Sequence, residues 1–277
     1  MNLKIIAEIS PKNQTLHPRF PALRQPEKPL KMRQMSTSTV SGVKNDLKAL
    51  ANAKKAAFFP SFFKTGPGQY GEGDVFLGIS VPDQRIVAKK HADLPLSGIE
   101  ALLESPIHEH RLTALLILTA RFAREPHERK TIVDFYLANA TRVNNWDLVD
   151  SSADKILGMW LLEEKKGIKT LERLARSENL WEQRIAMIAT FAFTRSGDFG
   201  PVVTIAELLV SHEHDLMHKA VGWMLREAGK RDEKPLRAFL DKHAATMPRT
   251  MLRYAIEKFS LEERSTYLQM KSGKAGQ

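Results

Sequence analysis

From about residue 39 onward, apolar residues recur at intervals of three and four, and no stretch sustains the period-two alternation of a half-buried strand. This pattern predicts an all-α protein with essentially no sheet. It places one helix over 39–56, with FFPSFF interrupted at Pro60 and KTGPGQYGEGDVFLGIS as a glycine-rich loop. A further helix starts at VPDQRIVAKKHA, with Pro82 in its first turn, where proline is tolerated. Helix pairs then follow: 96–104 with 107–123, 128–141 with 145–163, 167–176 with 180–194, 201–210 with 215–229, and 235–242 with 248–258. Glu125-Pro126, Gly167, Gly197, Gly200-Pro201 and Pro235 punctuate them.

The second helices resemble one another. HEHRLTALLIL, WEQRIAMIATF, MHKAVGWML and RTMLRYAIEKF are apolar helices with a cation near the start: Arg111, Arg184, Lys219 and Arg253. The spacings are 73, 35 and 34 residues, so the first interval hides one more unit, with its equivalent position near residue 148. Pairs repeating at this length predict a HEAT-like α-solenoid of stacked antiparallel helix pairs, each burying its apolar face on the next. The second helices of such pairs line the concave side. Four cations in one register therefore predict a basic concave groove.

At the hidden unit the cation is replaced by NNWDLVD, residues 144–150. Winding 145–160 at 100° per residue gathers Trp146, Val149, Ala153, Ile156, Leu157 and Trp160 into one apolar stripe. Asp150 falls at its edge, one turn after Trp146, and Asp147 and Asp154 fall further toward solvent. Two readings stay open. Acidic residues in a first helical turn complement the helix dipole, with Asn144 or Asn145 as the cap. A carboxylate partly desolvated beside an aromatic ring is also an active-site arrangement.

Charge sharpens the groove. The chain carries +10 over 277 residues; seven Lys/Arg against two Asp/Glu in residues 1–35 contribute +5, leaving +5 for the rest. Clustered cations fit a polyanion partner. The proline-rich segment 1–35 reads as a disordered basic tail, 36–265 as a single repeat domain, and 266–277 as a flexible C-terminal tail. No apolar run reaches the ~20 residues of a membrane helix. The absence of cysteine excludes disulfides and thiolate metal sites, and with no signal-like segment it makes a cytoplasmic location the default expectation.

Other signals carry less. Gly66, Gly68 and Gly71 spell G-x-G-x-x-G, but no strand precedes them and no helix opens at their end, so they read as a shaped turn. His212, His214 and His218, like His108 and His110, lack the convergent third ligand and outer support of a zinc site. Neither a metal nor a cofactor is expected.

NNWDLVD, the W-x-x-R of LWEQR, KAVGWMLRE, MPRTMLRYAIEKF and the GPGQYGEGD-x-FLGI-x-VP segment together resemble the AlkD family of DNA alkylation-repair glycosylases, over residues 40–265. The resemblance implies hydrolysis of the N-glycosidic bond of cationic N3- or N7-alkylated purines, such as 3-methyladenine and 7-methylguanine, in duplex DNA and without base flipping. It implies Asp150 as the catalytic carboxylate, Trp146 and Trp223 as deoxyribose contacts, and Arg184 as a contact to the DNA backbone. Gly78–Arg85 departs slightly from the family's form, which puts N-terminal DNA contacts in question rather than the chemistry.

The chemistry suits these residues. An alkylated cationic purine is already a good leaving group, so one carboxylate replaces the usual glycosidase pair. Asp150 would stabilise the oxocarbenium-like sugar and position water, while the tryptophan faces favour the developing cation. Arg111, Lys219, Arg226 and Arg253 are further candidates for phosphate contact. A monomer is expected. The rival readings are a non-catalytic binder of DNA structures and a protein-binding HEAT scaffold.

Overall fold

The computed structural model describes residues 38–165 and 167–270, so the tail expected at 1–35 lies outside the described residues. The described chain is helical. α1 (Val40–Ala49), α2 (Ala53–Phe63), α3 (Val81–Lys90) and α4 (Leu96–Leu103) lead into α5 (His108–Arg124) and α6 (Arg129–Ala138). α7 (Trp146–Ser152) continues through a π-helical turn, Asp154–Gly158, into α8 (Met159–Glu164). α9 (Lys169–Ala175), α10 (Leu180–Ser196), α11 (Gly200–Leu209), α12 (Asp215–Gly229), α13 (Glu233–His243), α14 (Arg249–Ala255) and α15 (Leu261–Gln269) complete it. The last of these crosses the boundary expected at residue 265. Among the described residues, the β-type pairing is a single parallel bridge between Val75 and Ile107, and no helix is long and apolar enough to cross a membrane.

The helix starts follow from polar caps. Thr39, Asn52, Ser80, Asn145, Asn179 and Asp232 each accept a first-turn backbone N–H, and Ser260 with Glu263 forms a reciprocal capping box. The Asn52 cap splits the helix expected over 39–56: the chain breaks at Leu50–Asn52 and restarts. Pro60 sits inside α2 rather than ending it. Phe59, Phe62 and Phe63 pack onto Phe76 and Trp146, and this contact holds the helix through the lost backbone hydrogen bond.

Two layers emerge from the packing. α5, α7, α10, α12 and α14 form an inner row in which each helix contacts the next, while α9, α11 and α13 form the outer row behind them. This is the HEAT-like stacking the periodicity predicts, with the second helix of each pair in the inner row. Fully buried apolar residues fill the interfaces, among them Leu112, Leu148, Ile185, Ile188, Val221, Met224 and Met251.

Two glycines set the spacing of the inner row. A Cβ on Gly158 would lie 2.3 Å from the Ala189 carbonyl oxygen of α10, and one on Gly222 would lie 2.4 Å from the Met251 carbonyl oxygen of α14. Neither obstacle is a flexible side-chain tip, so the helices themselves must separate. Gly158→Ala and Gly222→Ala are expected to lower unfolding stability by about 1–3 kcal/mol through overpacking. Urea denaturation of each variant checks this, and an unchanged midpoint would show that the helices part at no cost.

Candidate active site

Asp150 and Arg184 lie on adjacent inner helices, α7 and α10. The guanidinium grips the carboxylate with two parallel hydrogen bonds, Nε to Oδ1 at 2.9 Å and Nη2 to Oδ2 at 2.8 Å. Its third arm, Nη1, donates to the Leu216 carbonyl of α12 at 2.7 Å. The side chains are 5% and 9% exposed for Arg184 and Asp150. Burial pushes the Asp150 carboxyl above the usual range; Arg184 opposes this, and the nearby Asp147 adds to it. The carboxylate is thus desolvated and oriented, but its ionised state is contested by its own surroundings.

Asp147 and Asp154 do not face solvent as the helical wheel suggested; they are 2% and 3% exposed. An inner-row helix has neighbours on both sides, so its flanks are covered as well as its apolar stripe. Asp154 takes Arg195 and Lys155. Asp147 accepts from His108 Nε2 at 2.8 Å, while His108 Nδ1 lies 3.0 Å from Asp74 of the glycine-rich loop. Asp74 also takes Arg111 Nη2 at 2.5 Å and the side chain of Asn145, the cap of α7. Burial pushes His108 down, but the two carboxylates outweigh it and hold the ring at about 9. Burial pushes Asp74 up, yet His108 and Arg111 bring it below the usual carboxylate range. Arg111 therefore does not stand on a groove surface. It is 4% exposed and is spent on Asp74 and the Ser105 carbonyl.

Aromatic rings frame Trp146, which is half-buried. Phe63 stacks on it at 5.6 Å between centroids and Phe62 meets it edge-on at 5.9 Å. The Tyr70 hydroxyl lies beside its indole. Tyr70 also contacts Trp181 and His214 edge-on. The glycine-rich loop thus spans from α2 to α7, α10 and α12. Trp223 is half-buried against Phe191 of α10, a ring that also lies under Arg195 and Arg231. It is not brought into ring contact with Trp146.

The remaining cations differ in availability. Lys219 is half-exposed and bonded to Asp215 one turn earlier. Arg226 is paired with Glu227 and Glu257. Arg253 is exposed, with no acidic partner among the described residues. The histidines near 212 are engaged locally. His212 bonds Gln183 and the His214 backbone, His214 caps α12 through the Leu216 N–H, and His218 donates to the His212 carbonyl. No group of three or more His, Asp or Glu side chains placed to hold a metal occurs among the described residues.

The sequence of this helical solenoid matches a known family. The family model described as DNA alkylation repair enzyme matches residues 43–259. The chain belongs to the DNA alkylation repair enzyme family. A search of curated proteins found no match. Among solved structures, one titled as a predicted DNA alkylation repair enzyme from Enterococcus faecalis superposes with a TM-score of 0.61 at 18% identity, covering 76% of this chain and 97% of that one. At that identity the likeness establishes the fold.

In this DNA alkylation repair family member the structure brings to the candidate site four residues that the sequence pattern does not place there: Tyr70 and Asp74, which it leaves out, His108, set aside as a metal ligand, and Asp147, placed toward solvent. A faint signal existed for two of them. Tyr70 is an aromatic in a loop otherwise made of Gly, Pro and polar residues, and Asp74 ends that loop.

Arg184→Ala removes the sole bidentate partner of a buried carboxylate and is expected to cost about 3–5 kcal/mol, read by chemical denaturation. The His108 contribution has the opposite pH sense to that of a salt-bridged acid. Its folded value, about 9, exceeds the ordinary 6.5, so the stabilisation is full below 6.5 and lost as pH rises through 9. Thermal midpoints measured across that range should fall more steeply for the wild-type chain than for His108→Gln. Parallel curves would remove the ring from the stability balance.

Proposed function

We propose that this chain is a DNA-alkylpurine N-glycosylase, releasing cationic N3- or N7-alkylated purines from duplex DNA. The observation that carries the reading is the Asp150 carboxylate, desolvated, fixed by Arg184 and one helical turn from the partly open face of Trp146. A carboxylate offers about four lone-pair sites and Arg184 occupies two, leaving acceptor capacity for the sugar and a water.

The chemistry asks little more. The alkylated base departs as a neutral purine, so no general acid is needed. The barrier lies in the positive charge that develops at C1′. A fixed carboxylate in a low-dielectric setting stabilises that charge without reorganising as it forms. Trp146, and Trp223 further along the inner row, present negative ring faces to the sugar and strand. Asp150 orients the attacking water toward the same carbon.

Arg184 serves this reading differently from a phosphate clamp. With both carboxylate bonds and the Leu216 carbonyl bond made, its role is to hold Asp150 ionised and aimed. Phosphate binding falls to Arg253, and to Lys219 and Arg226, which exchange an exposed or half-exposed carboxylate partner for the DNA backbone. These contacts register the strand without reading its sequence.

The decisive test is release of 7-methylguanine from alkylated duplex DNA by the wild-type chain and by Asp150→Asn. Release is expected to fall by about 10²-fold or more in the variant while DNA affinity stays within a few-fold. Binding without release by either protein would favour a non-catalytic DNA binder, and absence of both would favour a protein scaffold. Separately, Arg253→Ala and Lys219→Ala should each weaken binding and reduce the slope of log affinity against log salt by about 1. An unchanged slope would take that residue off the DNA.

A further inference from the structure

We propose that His108 is a positioning residue for Asp150: clamped between Asp74 and Asp147, it cancels the charge of Asp147 and so keeps the neighbouring Asp150 ionised. The rate measurements below rest on the glycosylase reading, whereas the carboxyl titration stands apart from it.

Geometry fixes the state of the ring. His108 Nδ1 lies 3.0 Å from Asp74 Oδ2 and Nε2 lies 2.8 Å from Asp147 Oδ2. Carboxylates only accept, so both ring nitrogens must donate, and only the imidazolium does so. Water has little access to this cluster. His108 is 2% exposed, with the rings of Phe63 and Phe76 packed over it at 4.7 and 5.0 Å. The charges close in order, Arg111 with Asp74 and His108 with Asp147, leaving no net charge in the buried group.

Asp147 stands one turn before Asp150 on α7, and the two carboxylates repel. The groups acting on Asp150 are Arg184 from α10, and Asp147 and Lys155 from its own helical run. Those acting on His108 are Asp74 from the loop, Asp147 from α7 and Arg111 from its own helix. Burial already drives Asp150 toward its protonated form, against Arg184. Loss of the His108 charge would leave Asp147, while ionised, as an uncancelled buried negative charge beside Asp150, and would push the Asp150 carboxyl further up against Arg184. A protonated Asp150 has no charge to offer an oxocarbenium-like sugar. A histidine that never touches DNA thus controls whether the catalytic group is present in its working form.

Four full-length proteins test this: wild type, His108→Gln, Asp147→Asn and the His108→Gln/Asp147→Asn pair. The Asp150 carboxyl midpoint is followed by ¹³C NMR, assigned by loss of its signal in Asp150→Asn. His108→Gln should raise the midpoint by about 1 unit, Asp147→Asn should lower it, and the double variant should return it close to wild type. The acid limb of 7-methylguanine release should shift in the same order. A merely structural role predicts a double variant worse than either single one, with the limb unmoved. An unmoved midpoint in His108→Gln, or a double variant that stays as shifted as His108→Gln, overturns the proposal. Should His108→Gln fail to fold, Asp147→Asn alone decides, because an unlowered midpoint there is equally fatal. Failure of the wild type to release base would sink the glycosylase reading while the carboxyl titration still judges His108.

Discussion

One side chain ties three successive repeats together. Arg184, on α10, holds Asp150 of the repeat before and the Leu216 carbonyl of the repeat after. In a solenoid each unit contacts only its neighbours, and stability is a sum of nearest-neighbour interfaces. A buried guanidinium that reaches both ways fixes the relative height of three helices with rigid, bidentate geometry. Apolar packing alone would let those helices slide. The candidate site lies at this point of least freedom, which suits the role proposed for Asp150.

The same economy governs the N-terminal side of the site. α5 contributes His108 and Arg111, the glycine-rich loop contributes Asp74, and α7 contributes Asn145 and Asp147. Removing four charges from water is tolerated because each finds an opposite partner within hydrogen-bond distance. The network fastens the first turn of α7, which carries Trp146, to both the loop and α5. Glu109 adds to the joint by accepting the backbone N–H groups of Leu77, Gly78 and Ile79, where Gly78 has a positive φ of 80°. Tyr70 is thereby held against Trp181 and His214 by a segment with no regular structure of its own.

Much of this was legible in the chain. Helix ends followed from Thr, Ser, Asn and Asp caps, and the register of Arg111, Arg184 and Lys219 near the starts of inner helices followed from a period of about 35. Asp150 stood out as an acid where its neighbours carry a cation. What the linear pattern could not show is which polar residues of one unit face which of the next. Arg111 and Arg184 look alike in register, yet both are buried and both serve carboxylates, Asp74 and Asp150. Asp147 and Asp154, placed outward by a single-helix wheel, are covered by flanking helices that the wheel does not contain.

The sequence by itself determined the helical class, the repeat, the caps and the identity of the one aberrant unit. These depend on periodicity and on contacts within a few residues, which local chemistry encodes. Tertiary structure alone decided that Arg184 binds Asp150, that His108 is shared by two carboxylates from different segments, and that Tyr70 crosses to the inner row. Those pairings join residues 34 or more positions apart, and a charge selects its partner by distance in space and by exclusion of water, neither of which a linear pattern records.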